Sequence, residues 1–169
     1  MIRNSKDLNE PNELYSYLDV KKELVTGFSI LFSRFEYALK RGGYCQKCLA
    51  AKPDWDKFAQ DHSELFDTQN KPKLITSTQY ILKNPPKRQV QKNGKLDWRS
   101  VKNNTTQLGL ILRLVRTVRN NLFHGGKFPS GPINDPARNT NLLESCITIL
   151  RECLSLNDGI QRCFWERSR

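Results

Sequence analysis

The sequence contains no long apolar run and none of the common cofactor fingerprints. No stretch of about twenty apolar residues is present and no signal-peptide pattern is visible, so we expect a cytoplasmic protein without membrane contact. A glycine-rich phosphate loop, a dinucleotide-binding fingerprint and a metal-binding histidine pair are also missing. We therefore predict neither a cofactor nor a metal ion. His62, between Asp61 and Ser63, is interpreted as a surface residue because adjacent helical positions point in different directions.

Cysteine is present, but not in the arrangement of a zinc site or a disulfide framework. Cys45 and Cys48 have the spacing of half a zinc ligand set, and the other half is missing. Cys146, Cys153 and Cys163 fall at helical spacings and are better explained as reduced core residues. The odd total of five also argues against a disulfide framework.

Acidic residues are few, and the basic excess is concentrated in one segment. The chain has 28 basic and 17 acidic residues, a formal net charge of +11, and residues 71–102 hold nine basic residues against Asp97 alone. Such a segment attracts phosphate backbones without base preference. A solvated lysine-rich loop anchored by Trp98 is the alternative for any single residue. The candidate RNA-binding residues are Lys87, Arg88, Lys92, Lys95, Trp98 and Arg99, with Trp98 suited to stacking on an unpaired base.

The apolar pattern predicts a single all-α domain over residues 1–169, a helical bundle of about four to five helices. Polar residues 1–11 are expected to form a flexible tail. A long first helix is predicted from Leu14 to about Lys40, ended by a glycine pair. Further elements are predicted as a short helix over 53–66, a short element of uncertain type over 74–82, a helix over 105–123, a helix over 142–154 and a last turn or two over 160–167.

A basic excursion, either a loop or a hairpin, is predicted before the helix over 105–123. Val90 to Trp98 surround Asn93 and Gly94, a residue pair typical of the tight turn in a two-stranded hairpin.

The helix from Thr105 to Phe123 carries the most informative position of the chain. Its apolar residues recur at three- and four-residue intervals, and at about 100° per residue Arg119 falls in the middle of their stripe. Burying an unpaired guanidinium costs several kcal/mol. Either a carboxylate from another helix forms a structural ion pair with Arg119, or Arg119 belongs to an anion site.

His124 follows Arg119 by five residues, about 140° away on an ideal helix. Gly125 or Gly126 could turn the chain and bring the two side chains together, or two copies of the chain could contribute their pairs to one shared cleft. Imidazole is the side chain best suited to give or take a proton near neutral pH. A histidine that only caps the helix is the alternative.

Residues 119–124, Arg-Asn-Asn-Leu-Phe-His, end an amphipathic helix in a small helical chain and resemble the Arg-x4-6-His signature of the HEPN superfamily. The stretch 32–40 resembles the long first helix of such domains, where an acidic residue often lies near the Arg-His pair. Segments 53–58 and 84–87 are similar to a branch encoded on plasmids and other mobile elements. The resemblance spans most of the chain, from about Leu24 to the last helix.

The resemblance implies a metal-independent endoribonuclease of the kind used in toxin–antitoxin, antiphage and CRISPR systems. His124 would then move protons at the RNA 2′-hydroxyl, Arg119 would bind the nonbridging phosphate oxygens, and Asn120 would orient the histidine or the phosphate. Glu36 either holds Arg119 or is a solvated surface carboxylate. Arg116, one turn earlier, would extend the basic surface toward a neighbouring phosphate. The implied products are a 2′,3′-cyclic phosphate and a 5′-hydroxyl.

One position departs from a known branch of the superfamily. HEPN toxins paired with a nucleotidyltransferase antitoxin commonly carry Tyr two residues after the histidine, where this chain has Gly126, so neutralisation by that route is not expected. The expected partners are RNA, a second copy of the chain in a homodimer with a composite active site, and an antitoxin or regulatory protein. The alternative function is a non-catalytic HEPN module that binds RNA, a nucleotide or a partner protein.

Overall fold

The structure, a computed structural model, describes residues 20–103, 105–123 and 135–166, and most of these residues are helical. A two-stranded antiparallel hairpin follows the third helix. The prediction of an all-α bundle with a basic hairpin before the Arg119 helix is confirmed. The elements, in chain order, are α1 Lys22–Arg41, α2 Trp55–His62, α3 Pro72–Lys83, β1 Arg88–Lys92, β2 Lys95–Arg99, α4 Gln107–Phe123, α5 Pro136–Ser155 and α6 Asp158–Trp165.

Several element bounds differ from the predicted ones. The last turn predicted over 160–167 is a separate helix, α6, which makes six helices in the described residues. The uncertain element over 74–82 is helix α3, which begins at Pro72 because proline suits the first helical position. Helix α2 ends at His62 rather than at Phe66. The predicted tail 1–11 and the start of the first helix at Leu14 lie outside the described residues.

Side-chain caps and glycine set the helix ends. Gly42 donates its N–H to the carbonyl of Ala38 at 2.8 Å, and Gly43 takes a positive φ of 93°, so α1 ends where the glycine pair predicted. Gly42 also permits close approach of α6, since a Cβ there would lie 2.8 Å from Ile160. At the amino ends, Asp54, Thr106, Asp135 and Asn157 each accept a hydrogen bond from the backbone N–H three residues later.

The helices pack around a core that is rich in aromatic rings. Helix α1 packs on α5 and α6, α3 lies along α5, and α2 lies against α4. Phe35 of α1 stacks on Trp55 of α2 with ring centroids 5.2 Å apart, and Phe58 meets Phe35 edge-on at 5.7 Å. No helix in the described part of the chain is both long enough and apolar enough to cross a bilayer.

His62 is a core residue, so its interpretation as a surface residue is wrong. The ring is only 5 % exposed and stacks on Phe58 at 4.5 Å. The Oδ1 of Asn157 accepts from the N–H of Ile160, so its Nδ2 donates to His62 Nε2 at 3.1 Å. His62 Nδ1 therefore carries the proton and donates to the Phe58 carbonyl at 2.9 Å. The prediction considered only the residues next to His62 in the sequence and could not foresee its contact with Asn157, 95 residues away.

The hairpin is a two-stranded ribbon that makes few contacts with the helices. Asn93 and Gly94 both have positive φ, 51° and 75°, as a two-residue hairpin turn with right-handed strand twist requires. The register pairs Arg88 with Arg99 and Lys92 with Lys95. Only β1 makes substantial contact with a helix, α4. A two-stranded ribbon is marginally stable alone, so this contact supports it.

Candidate nucleic-acid interface

The carboxyl half of α4 presents its polar and basic side chains in two directions. Arg113, Arg116 and Asn120 have i, i+3 and i+7 spacing and line a cleft beside the hairpin. Arg119 is not among the residues that line it and instead lies against Phe32 of α1. Asn120 lines the cleft and also accepts a hydrogen bond from Arg119, so the cleft and the Arg119 site adjoin at this helix end.

The cleft lies between α4 and the base of the hairpin and has a volume of about 680 Å³. Among the residues that the structure describes, its wall includes four cationic side chains and a single carboxylate, Asp56, so its charge is strongly positive. The lining residues are Asp56, Arg88, Gln89, Val101, Lys102, Arg113, Arg116, Thr117, Asn120 and Asn121.

Two side chains fix the segment that leads into the hairpin. Asn121 of α4 donates from Nδ2 to the carbonyl of Lys87 at 2.8 Å. Arg138 of α5 donates to the carbonyls of Asn84 and Pro85 at 3.1 and 3.3 Å. Backbone carbonyls held in this way set the position of β1 relative to α4, and with it the shape of the cleft.

Arg119 is held by aromatic rings. Its Cζ lies 5.6 Å from the ring centroid of Phe32 and 5.3 Å from that of Phe123. The guanidinium donates to Oδ1 of Asn120 at 3.2 Å, and the residue is half-buried. In the described part of the chain no ion pair involves Arg119. Cation–π stacking explains how an arginine occupies a position where leucine is expected.

The apolar stripe of α4 is wider than predicted, and Arg119 is at its edge. The predicted members, such as Ile111 and Val115, are buried, but so are Leu114 and Val118. The extra width arises because α4 packs against α2, α3 and α5. The guanidinium is therefore half-exposed to solvent and not enclosed by the core.

Glu36 contacts Trp55. Its Oε1 accepts a hydrogen bond from the Trp55 indole N–H at 3.3 Å, and the residue is half-buried. Trp55 also contacts a basic side chain, since Cζ of Arg116 lies 5.9 Å from the Trp55 ring centroid. Trp55, which is 2 % exposed, thus contacts both the carboxylate of Glu36 on α1 and the guanidinium of Arg116 on α4. The role of holding Arg119 is filled by Phe32 and Phe123 in this structure.

The candidate RNA-binding residues of the hairpin divide between its two faces. Paired residues share a face and faces alternate along a strand, so Arg88, Arg99, Lys92 and Lys95 lie on one side, with the Val90–Asp97 pair between them. Trp98 pairs with Gln89 and lies on the opposite side, half-buried. Lys87 precedes β1 and is exposed. The four cations are brought together, and Trp98 is not brought together with them.

His124, Gly125 and Gly126 lie outside the described residues. The predicted approach of His124 to Arg119, by a turn at the helix end or across a dimer, therefore stays a prediction. Phe123, the residue directly before His124, is the last residue of α4 and is half exposed.

Cysteines and metal ligands are arranged as follows. Cys146 and Cys153 are buried, as predicted for core cysteines, while Cys163 is half-buried. Burial raises the pKa of both buried thiols far above the ordinary value. Cys45 and Cys48 are exposed. Over residues 20–103, 105–123 and 135–166, no cluster of three or more His, Cys, Asp or Glu is placed to hold a metal ion.

Sequence reasoning did not assign seven of the ten residues that line the cleft, namely Asp56, Gln89, Val101, Lys102, Arg113, Thr117 and Asn121. The signal for Arg113 was present, since it is three residues before Arg116 and seven before Asn120 on the polar side of the helix. Asp56 carried no such signal, because it reaches Arg113 only through the packing of α2 on α4.

Comparison with known proteins gave no relative. No protein-family model matches the chain, and neither a curated protein nor a solved structure is significantly similar to it.

Proposed function

We propose that the protein is a metal-independent endoribonuclease in which Arg119, Asn120 and His124 act on RNA held by the basic cleft and hairpin. The observation that carries this proposal is the environment of Arg119. Its guanidinium is positioned by Phe32, Phe123 and Asn120 at the helix end that directly precedes His124. Ring faces hold the cation without neutralising it, so its charge stays available to a phosphate.

The proposed reaction is an internal transfer at one phosphodiester of RNA. The 2′-hydroxyl oxygen attacks the phosphorus and loses its proton to a base, for which His124 is the candidate. The new P–O2′ bond forms as the P–O5′ bond breaks, and the leaving oxygen takes a proton from water to become a 5′-hydroxyl. Arg119 binds the nonbridging oxygens as their charge grows, and Asn120 orients the guanidinium through its Oδ1.

The test is cleavage of single-stranded RNA in excess EDTA by the wild type, His124→Ala and Arg119→Met. We expect cleavage by the wild type and a decrease of about 10²–10⁴-fold in each variant, with a 2′,3′-cyclic phosphate on the product. Arg119→Met should stay folded, because a stacked cation contributes only about 0.5–1 kcal/mol at a partly exposed site. Arg151→Gln, an exposed change on α5, is the matched control. Equal cleavage by the wild type and His124→Ala would reject the proposal.

The cleft also favours a second candidate, a non-catalytic module that binds RNA, a nucleotide or an acidic partner. The observation behind it is that Arg88, Lys102, Arg113 and Arg116 form a basic cleft without any help from Arg119. Such a module would bind RNA with wild-type affinity in His124→Ala and would cleave it in neither form.

The endoribonuclease proposal extends to a cytoplasmic toxin or antiphage-defence effector that works as a homodimer. Expression of the wild type should then arrest bacterial growth, and expression of His124→Ala should not. A composite site predicts that mixing Arg119→Met chains with His124→Ala chains restores part of the cleavage, since mixed dimers regain one intact Arg-His pair. An antitoxin or regulatory protein, if present, should co-purify with the His124→Ala chain.

A further inference from the structure

The cleft beside α4 concentrates like charges that the Arg119 site does not use. Arg113 and Arg116 of the helix line it together with Arg88 of β1 and Lys102, which follows β2. Like charges on the wall of a space of about 680 Å³ repel one another, and Asp56 is the one carboxylate among the described residues that line it. Such a wall is stabilised by a bound anion.

The shape and donors of the cleft suit a nucleotide unit of a polymer. Its volume lies within the range of small-ligand sites. Arg116 is oriented by the Trp55 ring, 5.9 Å from its Cζ, which is a geometry that leaves the guanidinium N–H groups at its edge able to donate. The amides of Gln89 and Asn120 supply neutral hydrogen-bonding groups.

The cleft is continuous with the cationic face of the hairpin. Arg88 belongs to both, because it lines the cleft and pairs with Arg99 at the base of the ribbon. Lys92 and Lys95 extend the same face to the tip, so it carries four cations and one carboxylate, that of Asp97. A line of cations that enters a basic cleft fits a strand with repeated charges better than a single small anion.

We infer that this cleft is a binding subsite for an RNA phosphate that neighbours the scissile one, and that Asp56 competes with that phosphate for Arg113. The inference rests on the proposed function for the identity of the strand. Arg116 precedes Arg119 by one turn of α4, so a strand crossing both would place adjacent phosphates on the two arginines.

The competition follows from one ion pair. Oδ1 of Asp56 lies 3.4 Å from Nε of Arg113, at the wall of the same cleft. The Asp56 side chain is 60 % exposed and that of Arg113 is 27 % exposed, so the carboxylate can move away while the arginine stays. A phosphate that binds Arg113 must displace or share this carboxylate. Asp56 therefore lowers the affinity of the cleft for anions that bind at Arg113, and the effect is largest for an anion that contacts Arg113 alone.

The experiment measures binding of a fluorescent single-stranded 2′-deoxy oligonucleotide across a salt series, which needs no cleavage. Arg113→Gln and Arg116→Gln should each weaken binding several-fold and reduce the slope of log K against log salt by about 0.7. Asp56→Asn should strengthen binding by about two- to fivefold, the size expected for an exposed ion pair. Arg151→Gln is the control with equal charge loss outside the cleft, and its slope should stay close to that of the wild type. If Arg113→Gln and Arg116→Gln change the affinity and the salt slope no more than Arg151→Gln does, the subsite proposal is wrong.

A double variant tests whether Asp56 acts through Arg113. In the Arg113→Gln background, Asp56→Asn should have little further effect, since the interaction it removes is already absent. A gain in affinity as large as in the wild type would show a general charge effect and overturn the competition.

Cleavage kinetics separate this inference from the proposed function. A dinucleotide with an added terminal phosphate should have a lower KM than one without it, and Arg116→Gln should remove that difference with little change in kcat. A chain that shows the predicted salt slopes but cleaves no RNA retains the subsite and loses the nuclease. Cleavage with an unchanged KM difference in Arg116→Gln retains the nuclease and rejects the subsite.

Discussion

The aromatic core and the basic cleft meet at Trp55, yet they follow opposite rules. In the core, Phe35 packs against Trp55 and Phe58. Every buried side-chain polar atom of the described residues has a hydrogen-bond partner. On the cleft side, the described lining residues include four cations and one carboxylate, Asp56, which pairs with Arg113. The core supplies stability, and the cleft holds charge that is unfavourable until an anion binds. Stability and binding should therefore respond to different substitutions.

The largest effect on stability should come from the centre of the ring cluster. Phe58→Ala removes a fully buried ring that contacts Phe35, Tyr44 and His62, and should lower the free energy of unfolding by about 3–5 kcal/mol. Leu96→Ala on the hairpin, where the residue is 67 % exposed, should change it by less than about 0.5 kcal/mol. Denaturant unfolding of both variants measures the difference. Similar losses would mean that the hairpin belongs to the cooperative core.

A smaller effect is expected at the polar edge of the same cluster. His62→Ala leaves the Asn157 amide without its acceptor and opens space beside Phe58, and should cost about 1–3 kcal/mol. The neighbouring Asp61→Ala is the control. The hydrogen bond from Lys57 lowers the pKa of Asp61, so its contribution is present above the ordinary carboxyl pKa and is lost as pH falls through the lowered value. Because Asp61 is exposed, its loss should be the smaller one at neutral pH. Equal losses at neutral pH would contradict the core role of His62.

The smallest effect should follow from capping the exposed thiols. Cys45 and Cys48 should react readily with a maleimide and change stability by less than about 0.5 kcal/mol. Cys146 and Cys153 should stay unreactive until the chain unfolds, because burial both raises their pKa and shields the sulfur. Mass spectrometry of labelled peptides, native and denatured, measures this. Rapid native labelling of Cys146 would show that the α5 core opens locally.

Features that depend on short-range spacing were predicted well. The hairpin turn at Asn93 and Gly94 and the end of α1 at Gly42 both follow from backbone conformations that few residues adopt easily. The helical form of residues 74–82 was not recognised, because a twelve-residue helix gives only a short periodic pattern. The interpretation of His62 as a surface residue failed because its partner, Asn157, is 95 residues away.

The candidate site shows the same division. The spacing of Arg113, Arg116, Arg119 and Asn120 was readable from the chain, since it depends only on the helical repeat. The stacking of Arg119 on Phe32 and the hydrogen bond from Trp55 to Glu36 could not be predicted from the helical repeat. Each depends on the angle at which α1 or α2 packs, and small changes in that angle exchange one partner for another.

Local pattern alone was thus enough to specify the longer helices, the hairpin turn and the basic character of residues 71–102, because each arises from neighbours along the chain. Assembly in three dimensions was needed to bring Asp56, Arg88 and Lys102 to the arginines of α4 and to place Arg119 over the ring of Phe32. These contacts join elements that are distant in sequence, and burial of the shared apolar core decides which surfaces meet.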